Sequence, residues 1–202
     1  SAALPKGEMG VLVETQSPDL FGATLASVAV LDENGVRVMA HPNKEMIESV
    51  KTEMSEAKKI LTHDYKSLLR VLDADPSALP RATVEDTMIA SYLLHSGSRA
   101  HDFPAVVHDV LGVSRIASLE DAVRFLPSLA KKLDERLRAE DVEKLFREIE
   151  APLIPILYRM ERVGIKLDTE FLKEVSGTFE KEITRLTKQI HAAAGEEFNI
   201  NS

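Results

Sequence analysis

Apolar residues recur at period two in the opening part of the chain and at periods of three and four in its closing part. Residues 10–14 (GVLVE), 24–31 (ATLASVAV) and 36–41 (VRVMAH) predict three short strands. Asp32, Glu33, Asn34 and Gly35 join the second to the third. An Asn-Gly pair between alternating apolar runs predicts a hairpin, so these two strands are expected to be antiparallel neighbours. Met46, Ile47, Val50 and Met54 predict a helix over 45–54. A short strand at Lys59–Thr62 then leads to a helix from Asp64 to Leu72 with Leu68, Leu69 and Leu72 on one face. Pro76 and Pro80 prevent 73–81 from being one regular element, and Arg81–Val84 reads as a last short strand. Helices are expected over Asp86–Leu94 and, after a polar loop with Gly97 and Ser98, over Phe103–Leu111, where Gly112 stops the second.

From there onward the pattern is helical. Ser118 and Asp121 form a capping box with Asp in place of Glu, ahead of Ala122, Val123, Leu126 and Leu129; Pro127 either interrupts this helix or lies near its beginning. Over Glu140–Val163 an apolar stripe passes through Pro152 and Pro155, which predicts a kink or a fresh helix start near Glu150. Gly164 ends that helix, Ile165–Leu167 is extended, and Asp168 or Thr169 caps a helix over Glu170–Ala193. In that helix Leu172, Val175, Phe179, Ile183, Leu186 and Ile190 oppose a face bearing Lys181, Arg185 and Lys188. No closing element follows Gly195, so the chain is expected to be a fragment of a longer protein, unless the stripe docks on the α/β body.

Composition narrows the chemistry. The 202 residues contain no cysteine, which excludes disulfides, thiolate metal sites and cysteine nucleophiles. Lys and Arg number 25 against 33 Asp and Glu, a net charge of -8. Residues 1–134 hold 14 basic and 19 acidic groups and residues 135–202 hold 11 and 14, so neither part is a basic nucleic-acid arm. No apolar run approaches 18 residues; a cytoplasmic protein with no membrane partner is expected. Dinucleotide, P-loop and nucleophile-elbow glycine motifs are absent, and the 10 aromatic residues are not interleaved with Lys or Arg. His63-Asp64, His101-Asp102 and His108-Asp109 are adjacent pairs, which suit local hydrogen bonds better than a metal site.

Two-metal phosphodiester chemistry needs three or four converging carboxylates, and Asp-x-Glu on a strand would place two of them on one face. The first strand offers Leu12, Val13 and Glu14, one carboxylate where two are needed. Asp64 and Asp86, at strand-to-helix junctions, could join Glu14, but the plainer reading makes both of them helix caps.

The segment EAPLIPILYRMERVGIKLDTEFL, followed by AAAGEEFNINS, resembles the opening of the polymerase region in family A DNA polymerases. The residues that carry the likeness are Pro152-Leu153, Leu157, Met160-Glu161, Gly164, Asp168 and Gly195 to Ser202. The preceding residues, best matched over VEDTMIASYLLHSGSRAHDF, resemble the 3′–5′ exonuclease domain of the same enzymes. The resemblance implies an α/β, ribonuclease-H-like mixed sheet over 1–134, followed over 135–202 by linker helices and the start of a thumb. It matches Glu14 to the glutamate of the proofreading site and Asp64 to its second motif, while Leu12 stands for an aspartate and Phe125 and Leu129 stand for a tyrosine and an aspartate. The exonuclease-like domain is therefore expected to be inactive, a scaffold within a monomeric DNA-directed DNA polymerase of replication and repair. No cofactor is expected in this chain, and Mg²⁺ is expected for the parent enzyme. Its partners would be DNA and the remaining palm, fingers and thumb, with Lys181, Arg185 and Lys188 facing DNA. The rival readings are an active metal-dependent 3′–5′ exonuclease, drawing on Asp86 or Asp19 for its absent ligands, and a stand-alone protein-interaction module.

Overall fold

The computed structural model describes residues 3–19, 22–78 and 83–200. Its sheet is built from β1 (Glu8–Asp19), β2 (Gly22–Asp32), β3 (Gly35–Ala40), β4 (Lys59–Thr62) and β5 (Thr83–Asp86), in the order β3-β2-β1-β4-β5. The first three are antiparallel, and β4 and β5 continue parallel to β1, with Leu12 opposite Ala29, Met9 opposite Ile60 and Ile60 opposite Val84. The hairpin expected at Asn34-Gly35 is present. Gly35 is the turn residue with positive φ, +111°, and the Asn34 N–H donates to Asp32 Oδ1 at 2.7 Å. β1 runs five residues past its expected end, across a register shift after Glu14, and β2 begins two residues early. Arg81, where the last strand was expected to begin, lies outside the described residues; β5 begins at Thr83.

Alternation along the strands divides the core between the two faces. On one side Met9, Val11, Val28, Val30 and Ile60 are buried under α1 (Lys44–Glu56) and α2 (Tyr65–Leu72). On the other, Leu12, Ala29, Leu31 and Leu61 are buried under Val123 and Leu126 of α5 (Leu119–Ala139). A third cluster joins α3 (Thr87–Leu94), α4 (Phe103–Leu111) and the far flank of α5 through Ala90, Val107, Leu129, Leu133 and Leu137. Full burial of each such aliphatic side chain is worth roughly 1.5–3 kcal/mol. That explains a departure from expectation: α5 neither stops at Pro127 nor starts there, but runs through it. A mid-helix proline costs about 3 kcal/mol, less than α5 gains from the seven residues it buries on both flanks.

After a short α6 (Glu143–Leu145) the helix widens into a π turn over Phe146–Glu150 and continues as α7 (Ala151–Val163), so the kink or fresh start expected near Glu150 is a wide turn inside one continuous helix. Gly164 has φ +65°, residues 165–167 are irregular, and Asp168 caps α8 (Thr169–Ala194) by accepting from the Phe171 N–H. The chain divides into two compact units, Ser1–Arg162 and Val163–Ser202. The first is a mixed sheet flanked by helices, and the second is α8 with its flanking segments.

Candidate functional site

The middle of β1, the residue that follows β4 and the start of α5 border a cleft of about 330 Å³, lined by Leu12, Glu14, His63, Phe103, Ile116 and Ala122 among others. Leu12 is 6% exposed and packed among α5 side chains, whereas Glu14 is exposed. One carboxylate thus stands beside a floor of hydrocarbon.

Asp64 and Asp86 are both helix caps. Asp64, at φ 60° and ψ 68°, accepts from the Ser67 N–H at 3.1 Å and so starts α2. Asp86 ends β5 and starts α3 while reaching across to α2. Its carboxylate, 1% exposed, accepts from the N–H groups of Tyr65 at 2.8 Å, Met88 at 2.9 Å, Asp64 at 3.1 Å and Ile89 at 3.4 Å. One buried carboxylate thereby satisfies orphan donors at two helix N-termini, whose dipoles both favour its charge. Burial is the larger influence and pushes the Asp86 carboxyl up to about 6 against those amide bonds.

His63 is also spent locally. Its Nδ1 pairs with Thr87 Oγ1 and its Nε2 with the His101 carbonyl, each at 2.9 Å, and the ring meets Phe103 edge-on at 5.2 Å between centroids. Burial lowers its pKa to about 4, outweighing the pull of the His101 carbonyl, Asp64 and Asp102. His101 bonds to Ser91 and the Ser98 carbonyl, Asp102 caps α4, and Asp109 pairs with Arg136. His63, Asp64, His101, Asp102 and Asp109 thus all have local partners.

Phe125 and Leu129 do not come to the cleft. They lie on the flank of α5 that packs against α3 and α4, with Leu129 fully buried there. The α5 residues that do reach the cleft are Leu119 and Ala122, preceded by the cap Ser118. A helix offers three or four rotational faces to any spacing rule, and only packing selects which of them meets the sheet. Lys181, Arg185 and Lys188 share one exposed face of α8; Arg185 is bound to Glu182 by two nitrogens, at 2.9 and 2.5 Å, and to Gln189. The side chain of Asp19 lies outside the described residues. A larger cleft, about 680 Å³, opens at the other end of β1 beside Lys6, Lys58 and Arg37, where Arg37 is tied to Asp32 and Glu53.

Arg147 went unnoticed in the sequence. Its guanidinium joins Glu85 on β5, Asp134 on α5 and Glu143 on α6 at 2.9, 2.5 and 2.7 Å. Only the Glu143–Arg147 spacing of four was visible beforehand. Among the described residues no group of three or more His, Asp or Glu side chains is placed to hold a metal ion.

No family model matches the chain. It is 34% identical over 175 residues to DNA polymerase I of Caldicellulosiruptor bescii, covering 85% of this chain and 20% of that protein. To DNA polymerase I of Bacillus subtilis it is 31% identical over 138 residues, 58% of this chain and 16% of the relative. The chain thus spans about a fifth of the length of these relatives. Among solved structures, the POL domain of Pol1 from M. smegmatis, in complex with DNA primer-template and dNTP, superposes with a TM-score of 0.74 at 21% identity over 96% of this chain and 35% of that one. NrnC of Brucella melitensis, bound to pGG, gives 0.60 at 19% identity over 78% and 86%. Both are likenesses of fold, and they fit a ribonuclease-H-like 3′–5′ exonuclease fold followed by a helical segment. In sequence and in fold, the chain resembles the exonuclease and thumb region of bacterial DNA polymerase I, of family A.

Proposed function

We propose that this chain is the first part of the large fragment of a DNA-directed DNA polymerase, and that its exonuclease-like body has lost proofreading and serves as a scaffold. In sequence likeness, residues 1–134 supply that body, and 135–202 supply linker helices and the start of the thumb, of which the part up to Arg162 packs within the first compact unit. The observation that carries the reading is Leu12. A buried apolar side chain occupies the strand position where the resemblance calls for a metal-binding aspartate, with Ala122 and Leu126 of α5 packed in the same cluster. Such a surface offers no lone pair to a divalent cation. Asp64 spends a carboxylate oxygen on the Ser67 N–H, and Asp86 spends both of its oxygens on backbone amides. The residues in this cleft therefore do not fit a pair of Mg²⁺ ions. Leu12, Glu14 and Asp64 mark the vestigial site; Phe125 and Leu129 hold its sequence positions but support the α3–α4 flank.

In the whole protein the activity would be template-directed DNA synthesis in cytoplasmic replication and repair. The Mg²⁺ ions of that step would be held by palm residues outside this chain, and the protein would act as a monomer on DNA. The thumb grips duplex product by phosphate contacts in this reading, and Lys181, Arg185 and Lys188 are its DNA-facing groups. The test is incubation of the purified chain with labelled single-stranded DNA and Mg²⁺ or Mn²⁺. No nucleotide release above a Glu14→Ala control is expected; metal-dependent release abolished by that substitution would sink the proposal.

A further inference from the structure

We infer that the helix from Glu143 to Val163 is a clasp across the β5 edge of the sheet, its register set by the π turn and its position pinned by Arg147. Among the described residues β5 has only β4 as a strand neighbour, so its outer side is an edge that a folded protein must cover or protect. The helix enters on one side of that edge and leaves on the other. Phe146, 1% exposed, is buried with Leu133 and Leu137 in the cluster beneath α3 and α5. Ile154 and Tyr158 are buried in the opposite cluster, with Leu69 and Leu72 of α2, and the Tyr158 hydroxyl donates to the Leu69 carbonyl at 3.4 Å.

Eight residues separate Phe146 from Ile154. In a regular α-helix they would place the two side chains about 80° apart, since each residue turns the helix by about 100°. The π turn holds one extra residue, and the Ala151 N–H reaches back to the Phe146 carbonyl, five positions away. That residue sets everything after it back by about 100° and brings Phe146, Ile154 and Tyr158 onto one line. Pro152, exposed and without an N–H, follows immediately and makes the wide turn cheap to keep.

Arg147 sits where the helix passes the edge. Glu85, on β5 itself, is 8% exposed, and a carboxylate so buried requires a partner. Arg147 supplies one at 2.9 Å while also holding Asp134 of α5, so that sheet edge, long helix and clasp meet at a single guanidinium. Lys59, 3.9 Å from Glu85, adds a second and looser cation. The clasp depends only on this packing and would stand even if the lost-nuclease reading fell.

Amide hydrogen exchange on the full chain tests it. Deleting Glu148 together with Pro152→Ala converts the π turn to regular helix without moving Phe146 relative to Ile154. Exchange over Ile154–Tyr158 should then stay within about twofold of the parent. Deleting Ile156, also an exposed residue but in the regular part of α7, turns Tyr158 away by about 100°. Exchange there should rise by roughly tenfold or more, or the chain should fail to fold, while β1 and β2 of any folded variant change by less than about twofold. Arg147→Met should speed exchange across Phe146–Tyr158 by about tenfold. The inference is overturned if the Glu148 deletion loosens the segment as much as the Ile156 deletion or fails to fold as that one does. It is equally overturned if Arg147→Met leaves the segment unchanged or loosens the whole body uniformly.

Discussion

Two buried groups at the strand ends pull stability in opposite directions with pH. His63 is held neutral, with its pKa lowered to about 4, so the unfolded chain binds the extra proton between pH 4 and 6.5 and stability rises with pH across that window. Asp86 is raised to about 6, so the folded chain binds the extra proton between about pH 3.8 and 6, and stability falls as pH rises through that window. Each shift corresponds to about 3 kcal/mol, and the two nearly cancel. Asp86→Asn should therefore leave a protein whose urea midpoint climbs steeply from pH 4.5 to 6.5, where the parent is almost flat; equal slopes would show that Asp86 titrates in its ordinary range. The same scale separates Leu12 from Leu129. Leu12→Asp puts a carboxylate beside an open cleft, whereas Leu129→Asp puts one in a closed cluster. The second should cost on the order of 4 kcal/mol or more and clearly exceed the first. Calorimetry on the doubly substituted chain should find no pair of tight Mg²⁺ sites.

Among the elements, α5 does the most work, since it floors the cleft at its N-terminus, closes the third cluster along its far flank and holds Arg147 through Asp134. Its start is defined by Ser118, whose hydroxyl accepts from the Asp121 N–H at 3.1 Å and donates to the Asp121 carboxylate at 3.0 Å. Pro127 is its weak point: it leaves the Val123 carbonyl without an intrahelical donor while the flanking residues hold the helix straight through. Pro127→Ala removes a penalty of about 3 kcal/mol. It gives back about 1–2 kcal/mol through lost ring packing and a freer unfolded chain. A net gain of about 1 kcal/mol in thermal or urea unfolding is expected. A loss would mean that the proline ring fills space that alanine leaves open.

At the scale of the molecule, the two compact units differ in how they are held. The first has apolar clusters on both faces of a sheet; in α8 no side chain is buried, and Phe179 and Ile183 are 63% and 62% exposed. Phe179→Ala should therefore cost far less than the roughly 3–5 kcal/mol typical of a buried aromatic truncation, and should leave the melting of the first unit unchanged. Amide exchange within 170–193 should be faster than in β1 and β2. Protection equal to that of the strands would show that the stripe is covered in solution.

Local chemistry written in consecutive residues was enough to specify much of this protein. The Asn34-Gly35 hairpin, the caps Ser118 and Asp168, the irregular turn before Pro152 and the capping roles of Asp64 and Asp86 each depend on a few neighbouring groups. So does the sharing of one strand face by Leu12 and Glu14, because period two fixes which strand residues point the same way. Tertiary structure decided whatever depends on which face of a helix meets the rest. It sent Phe125 and Leu129 to the far flank of α5, carried that helix through Pro127, and gathered Glu85, Asp134 and Glu143 around Arg147. The physical reason is that a helix can rotate on its neighbours at little local cost. The burial free energy that fixes its rotation is summed over partners far apart in sequence, such as Tyr158 and Leu69, 89 residues from each other.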